Sequence, residues 1–565
     1  MPQDLTVDSV SYRYPSGSRD ALHDVSAEFA AGSCTAIMGA TEAGKSTLLQ
    51  ALTGVIGDLD GGVLSGRIRY GAADLADYRV QTLTQYIGLV LQDPASQIIG
   101  RTVGEDVAFG PRNHLVPRAQ IRRRVTQMLE LVGLSGFETR STAELSGGEL
   151  QRLAIAGVLA MGPEVLCLDE ATAELDPVGA CRLRQVVASL RQRGMTVVTA
   201  EHDPAAVLDQ ASGIVVLDAG QVAWRGAPAD FFADPDCVER LGIRPLPMSV
   251  VAREMLRDRP ELALTLPVGR RLPITVAEMS GWLRDLLPAD SRPEPQAPSA
   301  HGTDRPVIEI DDLHFGYSPR AEVLHGIHLT IRAGEFVALT GPNGAGKTTV
   351  AKHLNGLLRP TAGRVLICGR DVAGQPTWQL AGQVGYVFQN PDHQIFCRSV
   401  AEEVGFALRV AGRPPAEIVA RTTAVLQFTG LTDLCEANPL TLTRGQRQLV
   451  AMASTLIAEP EILVIDEPTT GQDWRGVQAI MGLVDQLNQQ GTTIVMISHD
   501  RELIAHHARR VVTIDGGQVV ADGPVQTQVV TQLGELWHEC FGARPDSCDE
   551  FTAGRRLARS CKART

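Results

Sequence analysis

The sequence lacks the features that would place it in several common classes of protein. No run of about 18 apolar residues occurs, the length that a helix needs to cross a bilayer, so we expect no membrane-spanning segment. The first residues, MPQDLTVDSV, contain neither a basic nor an apolar stretch, so we expect no secretion signal. The ten cysteines form no CxxC pair and no metal-ligand spacing, which favours reduced, buried thiols over a metal centre.

An excess of positive charge is also absent. The 565 residues include 52 Lys and Arg against 65 Asp and Glu, a net charge of −13. We therefore predict no nucleic-acid partner, because proteins that bind nucleic acid usually present a basic face. Hydrophobic residues make up 44% and charged residues 21%, a balance typical of globular proteins. The length predicts three or four structural units of about 100–200 residues each.

Most of the chain consists of two copies of one pattern. The segment YIGLVLQDPASQII resembles QVGYVFQNPDHQIF, VLCLDEATAELDP resembles ILVIDEPTTGQDW, and VVTAEHD resembles IVMISHD. The spacing agrees as well, because 110 residues separate Gln92 from His202 and also Gln389 from His499. An internal repeat of this kind predicts two homologous domains.

The repeat also sets the predicted domain boundaries. The first domain covers residues 1–242 and the second covers residues 305–540. Residues 243–304 match neither copy. Their helical patterns predict a small appendage, and their end, PADSRPEPQAPSAHGTDRP, is rich in Pro, Ser and Ala, which is typical of an exposed linker. The polar residues 541–565 are predicted to form a poorly ordered tail.

Each copy contains the pattern Gly-x-x-x-x-Gly-Lys-(Ser/Thr) between an apolar strand-like run and a helical stretch. In this context the backbone N–H groups and the helix N-terminus attract phosphate. We expect Lys45 and Lys347 to reach the β- and γ-phosphates, and Ser46 and Thr348 to bind Mg²⁺. The residues predicted to contact the nucleotide are Gly39, Ala40, Thr41, Glu42, Ala43, Gly44, Lys45, Ser46 and Thr47 in the first loop, and Gly341, Pro342, Asn343, Gly344, Ala345, Gly346, Lys347, Thr348 and Thr349 in the second.

Downstream of this loop, each copy has an apolar strand that ends in two acids. These are Asp169 with Glu170, and Asp466 with Glu467. The spacing predicts that this strand lies beside the strand that leads into the phosphate loop. We expect each aspartate to hold Mg²⁺ through water, and each glutamate to orient and polarise the attacking water as a general base.

Between these elements lie LSGGELQRL in the first copy and LTRGQRQL in the second. They resemble the signature motif of ABC ATPases, and the resemblance extends over nearly all of both copies. It implies an α/β fold with two tandem P-loop ATPase domains, each built from a mostly parallel sheet, an antiparallel β subdomain and a helical signature subdomain. It also implies ATP and Mg²⁺ as cofactors and ATP hydrolysis as the activity.

The resemblance implies roles for further residues at matched positions. Those with a catalytic or binding role are the Q-loop glutamines Gln92 and Gln389, which also contact the metal ion, the switch histidines His202 and His499, the D-loop aspartates Asp176 and Asp473, the adenine-stacking Tyr14 and Tyr317, and the signature residues Ser146, Gly147, Gly148, Thr443, Arg444 and Gly445.

In the family, two cassettes pack head to tail, and each ATP lies between the phosphate loop of one cassette and the signature of the other. In this chain, the site of Lys347 and Glu467 would receive the intact signature of the first copy. The site of Lys45 and Glu170 would receive the second signature, where Arg444 replaces a glycine. Its side chain could block the γ-phosphate or bind it. We hypothesise that the site of Lys347 and Glu467 is the main hydrolytic one.

The segments LQDPASQII, FQNPDHQIF and GAPADFFADPDCVERLGIRPLP resemble the ATPases of energy-coupling-factor importers, which take up vitamins and transition-metal ions. The resemblance implies a peripheral location on the cytoplasmic face of the cell membrane. It implies separate multi-span membrane subunits that dock helices in a groove beside each Q-loop, with Asp93 and Asp392 in the groove wall, and a substrate-binding membrane protein.

Three alternatives remain open at this stage. The chain could be the ATPase of an exporter, a tandem ABC translation factor that acts on ribosomes, or a regulatory nucleotide-binding protein. Translation factors of this kind have a long, charged helical linker, whereas the linker here ends in Pro, Ser and Ala. The two complete acid pairs favour hydrolysis over pure regulation. No residue encodes the transported substrate, because ATPase subunits do not contact it.

Overall fold

The computed structural model describes residues 3–15, 17, 19–56, 61–172, 175, 177–266, 271–283, 305–318 and 321–525. These residues fall into two compact units, one within 3–283 and the other within 305–525. No helix in the described part of the chain is long and apolar enough to span a membrane. Most of the predicted linker and the whole predicted C-terminal tail lie outside the described residues.

The first unit contains ten strands and eleven α-helices among its described residues. The strands are β1 (Leu5–Arg13), β2 (Leu22–Phe29), β3 (Cys34–Met38), β4 (Val63–Tyr70), β5 (Ala73–Asp74), β6 (Ile87–Val90), β7 (Val165–Asp169), β8 (Thr196–Ala200), β9 (Gly213–Asp218) and β10 (Gln221–Gly226). The helices are α1 (Lys45–Leu52), α2 (Val80–Leu83), α3 (Val103–Asn113), α4 (Arg118–Leu131), α5 (Gly147–Leu159), α6 (Pro177–Gln192), α7 (Pro204–Gln210), α8 (Pro228–Phe232), α9 (Pro235–Arg240), α10 (Pro247–Asp258) and α11 (Val276–Leu283).

The second unit repeats the first without its last four helices. Its strands are β11 (Pro306–Ser318), β12 (Ala321–Arg332), β13 (Phe336–Thr340), β14 (Ala362–Ile367), β15 (Arg370–Asp371), β16 (Val384–Val387), β17 (Ile462–Asp466), β18 (Thr493–Ile497), β19 (Arg510–Asp515) and β20 (Gln518–Pro524). Its described helices are α12 (Lys347–Leu354), α13 (Thr377–Leu380), α14 (Val400–Val410), α15 (Pro415–Phe428), α16 (Arg444–Leu456), α17 (Trp474–Gln489) and α18 (Arg501–His507).

Each unit contains one mostly parallel six-stranded sheet and one antiparallel four-stranded sheet. The six-stranded sheets have the strand orders β10-β9-β3-β8-β7-β6 and β20-β19-β13-β18-β17-β16, in which only β10 and β20 are antiparallel to their neighbours. The four-stranded sheets have the orders β2-β1-β4-β5 and β12-β11-β14-β15. The same architecture therefore forms twice, as the internal repeat predicts.

The acid-bearing strand does not lie beside the strand that leads into the phosphate loop, so this prediction is wrong in both units. β8 lies between β3 and β7, and β18 lies between β13 and β17. Sequence spacing does not determine strand order, because a parallel connection passes through a helix and can skip a position in the sheet. Neighbouring strands are about 4.8 Å apart, so β7 lies about 10 Å from β3.

The core of the first unit shows why its central strands are continuous apolar runs. In β7, Val165 and Cys167 belong to the cluster shared with the antiparallel sheet, whereas Leu166 and Leu168 belong to the cluster shared with helices α3 to α6. Successive side chains of a strand point to opposite faces, and here both faces are covered. Both faces are therefore apolar, and polar groups are confined to the strand ends, where the predicted site lies.

Helices α10 and α11 form a small separate core at the end of the first unit. Its buried residues are Met248, Ala252, Met255, Met279 and Trp282. The indole Nε1 of Trp282 donates a hydrogen bond to Thr265 Oγ1 at 3.0 Å, so the polar end of the ring is satisfied. These helices follow the helical patterns that the sequence shows after residue 243.

Candidate functional site

Each unit places a phosphate loop between a buried strand and a helix. In the first unit the loop joins β3 to α1, and Lys45 is the first residue of α1. Lys45 Nζ donates to the carbonyl oxygens of Gly39 (3.1 Å) and Ala40 (3.0 Å). Lys347 makes the two equivalent bonds in the second unit, at 2.8 and 2.9 Å. Each loop therefore wraps around the amine of its own lysine.

The first glycine of each loop is required by a close approach to a neighbouring strand. A Cβ atom on Gly39 would lie 2.3 Å from the carbonyl oxygen of Leu217 in β9, and one on Gly341 would lie 1.9 Å from that of Ile514 in β19. Both glycines have positive φ, at 147° and 135°. A side chain at either position would push the loop away from the sheet. The exposed residues of the two loops are Glu42, Pro342, Asn343 and Gly344.

Oxygen atoms that can hold Mg²⁺ meet at the carboxyl ends of β7 and β17. Ser46 Oγ donates to Asp169 Oδ1 at 3.0 Å, and Thr348 Oγ1 donates to Asp466 Oδ2 at 2.9 Å. Burial raises the pKa of Asp169 to about 6 despite the hydrogen bond from Ser46, and burial also raises the pKa of Asp466. Within the described residues, Asp466 Oδ1 is buried without a hydrogen-bond partner. Both pairs fit Mg²⁺, which binds oxygen ligands and favours the ionised carboxylate.

Glu170 lies at the centre of the first site. Its backbone has φ of 48°, in the left-handed region that costs a non-glycine residue about 1 kcal/mol. The carboxylate accepts a hydrogen bond from Gln92 Nε2 at 2.8 Å and contacts His202 Nε2 at 2.7 Å. Lys45 Nζ lies 3.8 Å from the same carboxylate. The fold therefore brings three of the predicted residues together around one buried glutamate.

The second site is arranged differently. Glu467 has the same left-handed backbone, with φ of 47°, and His499 Nδ1 lies 2.8 Å from its carboxylate. Burial works against the charged imidazole, but the hydrogen bond and the charge of Glu467 outweigh it, so the pKa of His499 is raised. Gln389 does not join this group. Its side chain is exposed and makes no hydrogen bond to the described residues.

An exposed aromatic ring lies beside each phosphate loop. The hydroxyl of Tyr14 lies 3.1 Å from Thr47 Oγ1, and the ring packs edge-to-face against Tyr12 with centroids 4.9 Å apart. Tyr317 repeats this arrangement in the second unit, at 3.3 Å from Thr349 Oγ1 and 5.0 Å from the ring of Phe315. An exposed ring that is held by a neighbouring aromatic residue suits stacking against a base.

The two signature segments begin helices in the same way. Ser146 precedes α5 and forms reciprocal hydrogen bonds with Glu149, at 3.4 and 2.7 Å. Thr443 precedes α16 and forms the same capping box with Gln446, at 3.2 and 3.0 Å. Thr443 therefore preserves the helix cap. In both cassettes the signature segment contains the N-terminus of a helix, which carries a partial positive charge.

Arg444 is the first residue of α16, where Gly147 begins α5. Its guanidinium group packs against Gly471 of the same unit, because a Cβ atom on Gly471 would lie only 3.1 Å from Nη1. The next residue, Gly445, is also tightly packed, since a Cβ there would lie 2.7 Å from Gln472 Oε1. Of the predicted D-loop aspartates, Asp473 caps α17 by accepting a hydrogen bond from Gly476 at 2.8 Å, and Asp176 lies outside the described residues.

The sequence reasoning missed two residues that contact these sites. Tyr386 donates a hydrogen bond to Asp466 Oδ2 at 3.1 Å, whereas its counterpart in the first unit is Leu89. Glu201, next to His202, is buried and accepts hydrogen bonds from Thr172 Oγ1 and from the backbone N–H of His202. The available signal was the mismatch between the repeats, GYVFQ against GLVLQ and AEHD against ISHD.

Comparison with known proteins identifies the family to which the chain belongs. The sequence profile described as ABC transporter matches residues 22–173 and 324–470. A candidate ABC transporter ATP-binding protein of Methanosarcina acetivorans is 38% identical over 526 residues, which are 92% of this chain and 86% of that protein. The chain belongs to the ABC transporter family. It is an ABC ATP-binding protein that binds ATP with Mg²⁺, hydrolyses ATP and energises transport.

Two further similarities were found. A candidate ABC transporter ATP-binding protein of Caldanaerobacter subterraneus is 34% identical over 531 residues, which are 93% of this chain and 92% of that protein. The solved structure of cbiO1 from Clostridium perfringens, described as part of the ABC transporter complex cbiONQ, is 31% identical and covers 41% of this chain and 96% of its own length, with a TM-score of 0.38. The predicted fold class of two tandem ABC ATPase cassettes is confirmed.

Proposed function

We propose that this chain is the ATPase subunit of an importer for a vitamin, a vitamin precursor or a metal ion, and that it acts with separate membrane subunits. The observation that carries the proposal is a cleft of about 350 Å³ beside the Q-loop of the first cassette. Its walls are largely apolar and include Leu91, Gln97, Asp106, Phe109, Val158 and Met161. An apolar cleft of this kind suits the side chains of a short amphipathic helix.

The cleft is connected to Glu170 by a short path. Leu91 lines the cleft, and its neighbour Gln92 donates to Glu170 at 2.8 Å. Gln97 holds this loop in place, because it donates to Leu89 O at 2.9 Å and accepts from Leu91 N at 3.1 Å. A helix that docks in the cleft would therefore move the residue that contacts Glu170, which is the coupling that a transporter requires.

The second cassette offers an apolar surface at the matched position. Phe396 and Phe406 are exposed, and their rings pack edge-to-face with centroids 4.7 Å apart. Their counterparts in the first cassette are the exposed Ile99 and Phe109. Asp392, which we predicted in the groove wall, forms an ion pair with Arg447 of α16 at 2.7 Å and ties this Q-loop to the signature helix. Asp93 of the first cassette instead caps the turn at Pro94–Ser96.

We further propose that the two cassettes pair head to tail within the chain and that the roles predicted for the site residues hold. ATP binding would then draw the cassettes together, and hydrolysis by water activated at Glu170 or Glu467 would release them. Membrane helices docked at the Q-loops would follow each cycle, so hydrolysis would shift the population between two transporter conformations. The chain would lie at the cytoplasmic face of the membrane, held there by its partners.

The pairing makes the two ATP sites unequal. The site of Lys347 and Glu467 would receive Gly147, and the site of Lys45 and Glu170 would receive Arg444. Because a long cationic side chain would replace the close approach of a backbone N–H, we expect Glu467→Gln to abolish most ATP turnover and Glu170→Gln to reduce it less. Steady-state ATPase assays of the two variants measure this difference. Equal losses would contradict the asymmetry.

The transporter proposal is tested by purifying the chain from detergent-solubilised membranes and identifying what accompanies it. We expect a multi-span membrane protein, and we expect Phe109→Glu together with Phe396→Glu to abolish its capture. Val520→Glu, at an exposed apolar residue of β20, is the matched control and should leave capture intact. If the chain instead sediments with ribosomes and captures no membrane protein, the translation-factor alternative is correct. Capture of an exporter's membrane subunit would contradict the proposed direction of transport but not the role in transport.

A further inference from the structure

One residue of the first phosphate loop differs in charge from its counterpart in the second. Glu42 occupies the position of Gly344. Both lie in a β-turn, which is closed by a 3.2 Å hydrogen bond from Ala43 N to Ala40 O and by the equivalent 3.2 Å bond in the second loop. At this third position of the turn φ is positive, 64° for Glu42 and 82° for Gly344. Turns of this kind favour glycine here, so Glu42 is unusual on backbone grounds alone.

The rest of the loop is closely similar in the two cassettes. Lys45 and Lys347 each bond to the same two carbonyl oxygens of their own loop, at 3.0–3.1 Å and 2.8–2.9 Å. The other side-chain differences between GATEAGKS and GPNGAGKT are uncharged. The charge of the loop therefore differs by Glu42 alone, which leaves the first loop neutral where the second is positive.

Packing around the loop does not explain why Glu42 stands in the position of Gly344. A Cβ atom on Gly344 meets no atom within 4 Å, so this point of the loop accommodates a side chain of any charge. Glu42 is exposed, and it makes no hydrogen bond or ion pair with the described residues that would neutralise its carboxylate. The carboxylate lies three residues before Lys45, in a loop whose lysine and helix N-terminus attract anions.

We propose that Glu42 weakens nucleotide binding at the first cassette by repelling the phosphates of ATP, and that it makes this cassette the low-affinity site of the chain. We expect an effect of about fivefold to tenfold on affinity, equivalent to about 1–1.4 kcal/mol, which is the repulsion between two like charges about 3–4 Å apart in water-like surroundings. The inference needs only ATP binding at each phosphate loop. It requires neither a membrane partner nor the pairing of the cassettes.

The test is photoaffinity labelling of the full-length chain with 8-azido-ATP at 0 °C, where hydrolysis is slow, with the labelled peptides assigned by mass spectrometry. Each cassette then reports its own apparent affinity in the same sample. We expect the second cassette of the unmodified chain to label at lower nucleotide concentration. Glu42→Gln should tighten labelling of the first cassette about fivefold to tenfold relative to the second, and Gly344→Glu, the matched variant, should weaken the second by a similar factor.

Two controls separate charge from backbone effects. The gap between Glu42 and Glu42→Gln should shrink at high salt, because an exposed charge is screened. Competition by adenosine, which has no phosphate, should not respond to Glu42→Gln. Tightening by Glu42→Gly without tightening by Glu42→Gln would overturn the proposal in favour of loop flexibility, and unchanged affinities in both variants would overturn it outright. Loss of membrane-partner capture would leave these results untouched, so the two proposals fail separately.

Discussion

Glu201 offers a prediction in which the magnitude follows from the structure. This carboxyl group is buried beside the switch histidine His202, where the second cassette has Ser498. Burial, together with the charge of Asp203, raises the pKa of Glu201 from its ordinary value of 4.5 to about 7, against the hydrogen bonds from Asp203 N and Thr172 Oγ1. We consider Glu201→Gln, which keeps the shape of the side chain and resembles its protonated form.

The sign of the effect follows from the raised pKa. Below about pH 4.5 the carboxyl group is neutral in both the folded and the unfolded chain, and burial costs nothing extra. Between pH 4.5 and 7 the unfolded chain loses the proton while the folded chain keeps it, so stability falls as the pH rises. Above pH 7 the full cost is present. At 1.36 kcal/mol for each factor of ten in the ionisation constant, this cost is on the order of 3 kcal/mol.

The measurement is thermal unfolding of the full-length chain and of Glu201→Gln between pH 5 and 8.5, without nucleotide. We expect the two proteins to unfold at nearly the same temperature at pH 5. At pH 8 the variant's first cassette should unfold higher, by up to about 6–12 °C for a domain of this size. Glu28→Gln, at an exposed glutamate, is the control and should follow the unmodified chain at every pH. A pH-independent difference, or a lower unfolding temperature for Glu201→Gln at pH 8, would refute the reasoning.

Three further substitutions test a hydrogen bond and the packing at the second site. Tyr386→Phe removes the hydrogen bond that supports ionised Asp466. Because a hydrogen bond to a charged group contributes about 1.5–3 kcal/mol, the Mg²⁺ concentration for half-maximal ATPase activity should rise at least about tenfold. An unchanged Mg²⁺ requirement would contradict the role of Tyr386. Gly341→Ala would place a Cβ atom 1.9 Å from the carbonyl oxygen of Ile514. We therefore expect this variant to lose nucleotide binding and to unfold at a much lower temperature in calorimetry. Gly344→Ala has open space around its Cβ atom and should cost only about 1 kcal/mol of backbone strain.

Residues in contiguous motifs were predictable because their chemistry is carried by a few neighbouring positions. The phosphate loops, the acids at the strand ends and the signature helices form at the chain positions that their patterns indicate, although the order of the strands differs from the prediction. Thr443 keeps the capping role of Ser146. The exposure of Gln389 was not predictable. Gln389 and Gln92 lie at the same distance along the chain from the histidine of their own copy, but whether an amide reaches a carboxylate depends on the path of a loop, which this spacing does not determine.

The sequence by itself determined the repeat, the nucleotide chemistry of both copies and the differences between them at Glu42 and Arg444, because these depend on residue type at a local position. Only the tertiary structure decided the order of the strands and the contacts across it. Ser46 and Asp169 are 123 residues apart in the sequence, and strand β8 separates β3 from β7. The Oγ atom of Ser46 nevertheless lies 3.0 Å from Oδ1 of Asp169. Such a contact depends on how buried strands pack side by side, because an apolar run such as β7 or β8 does not specify which strand lies next to β3.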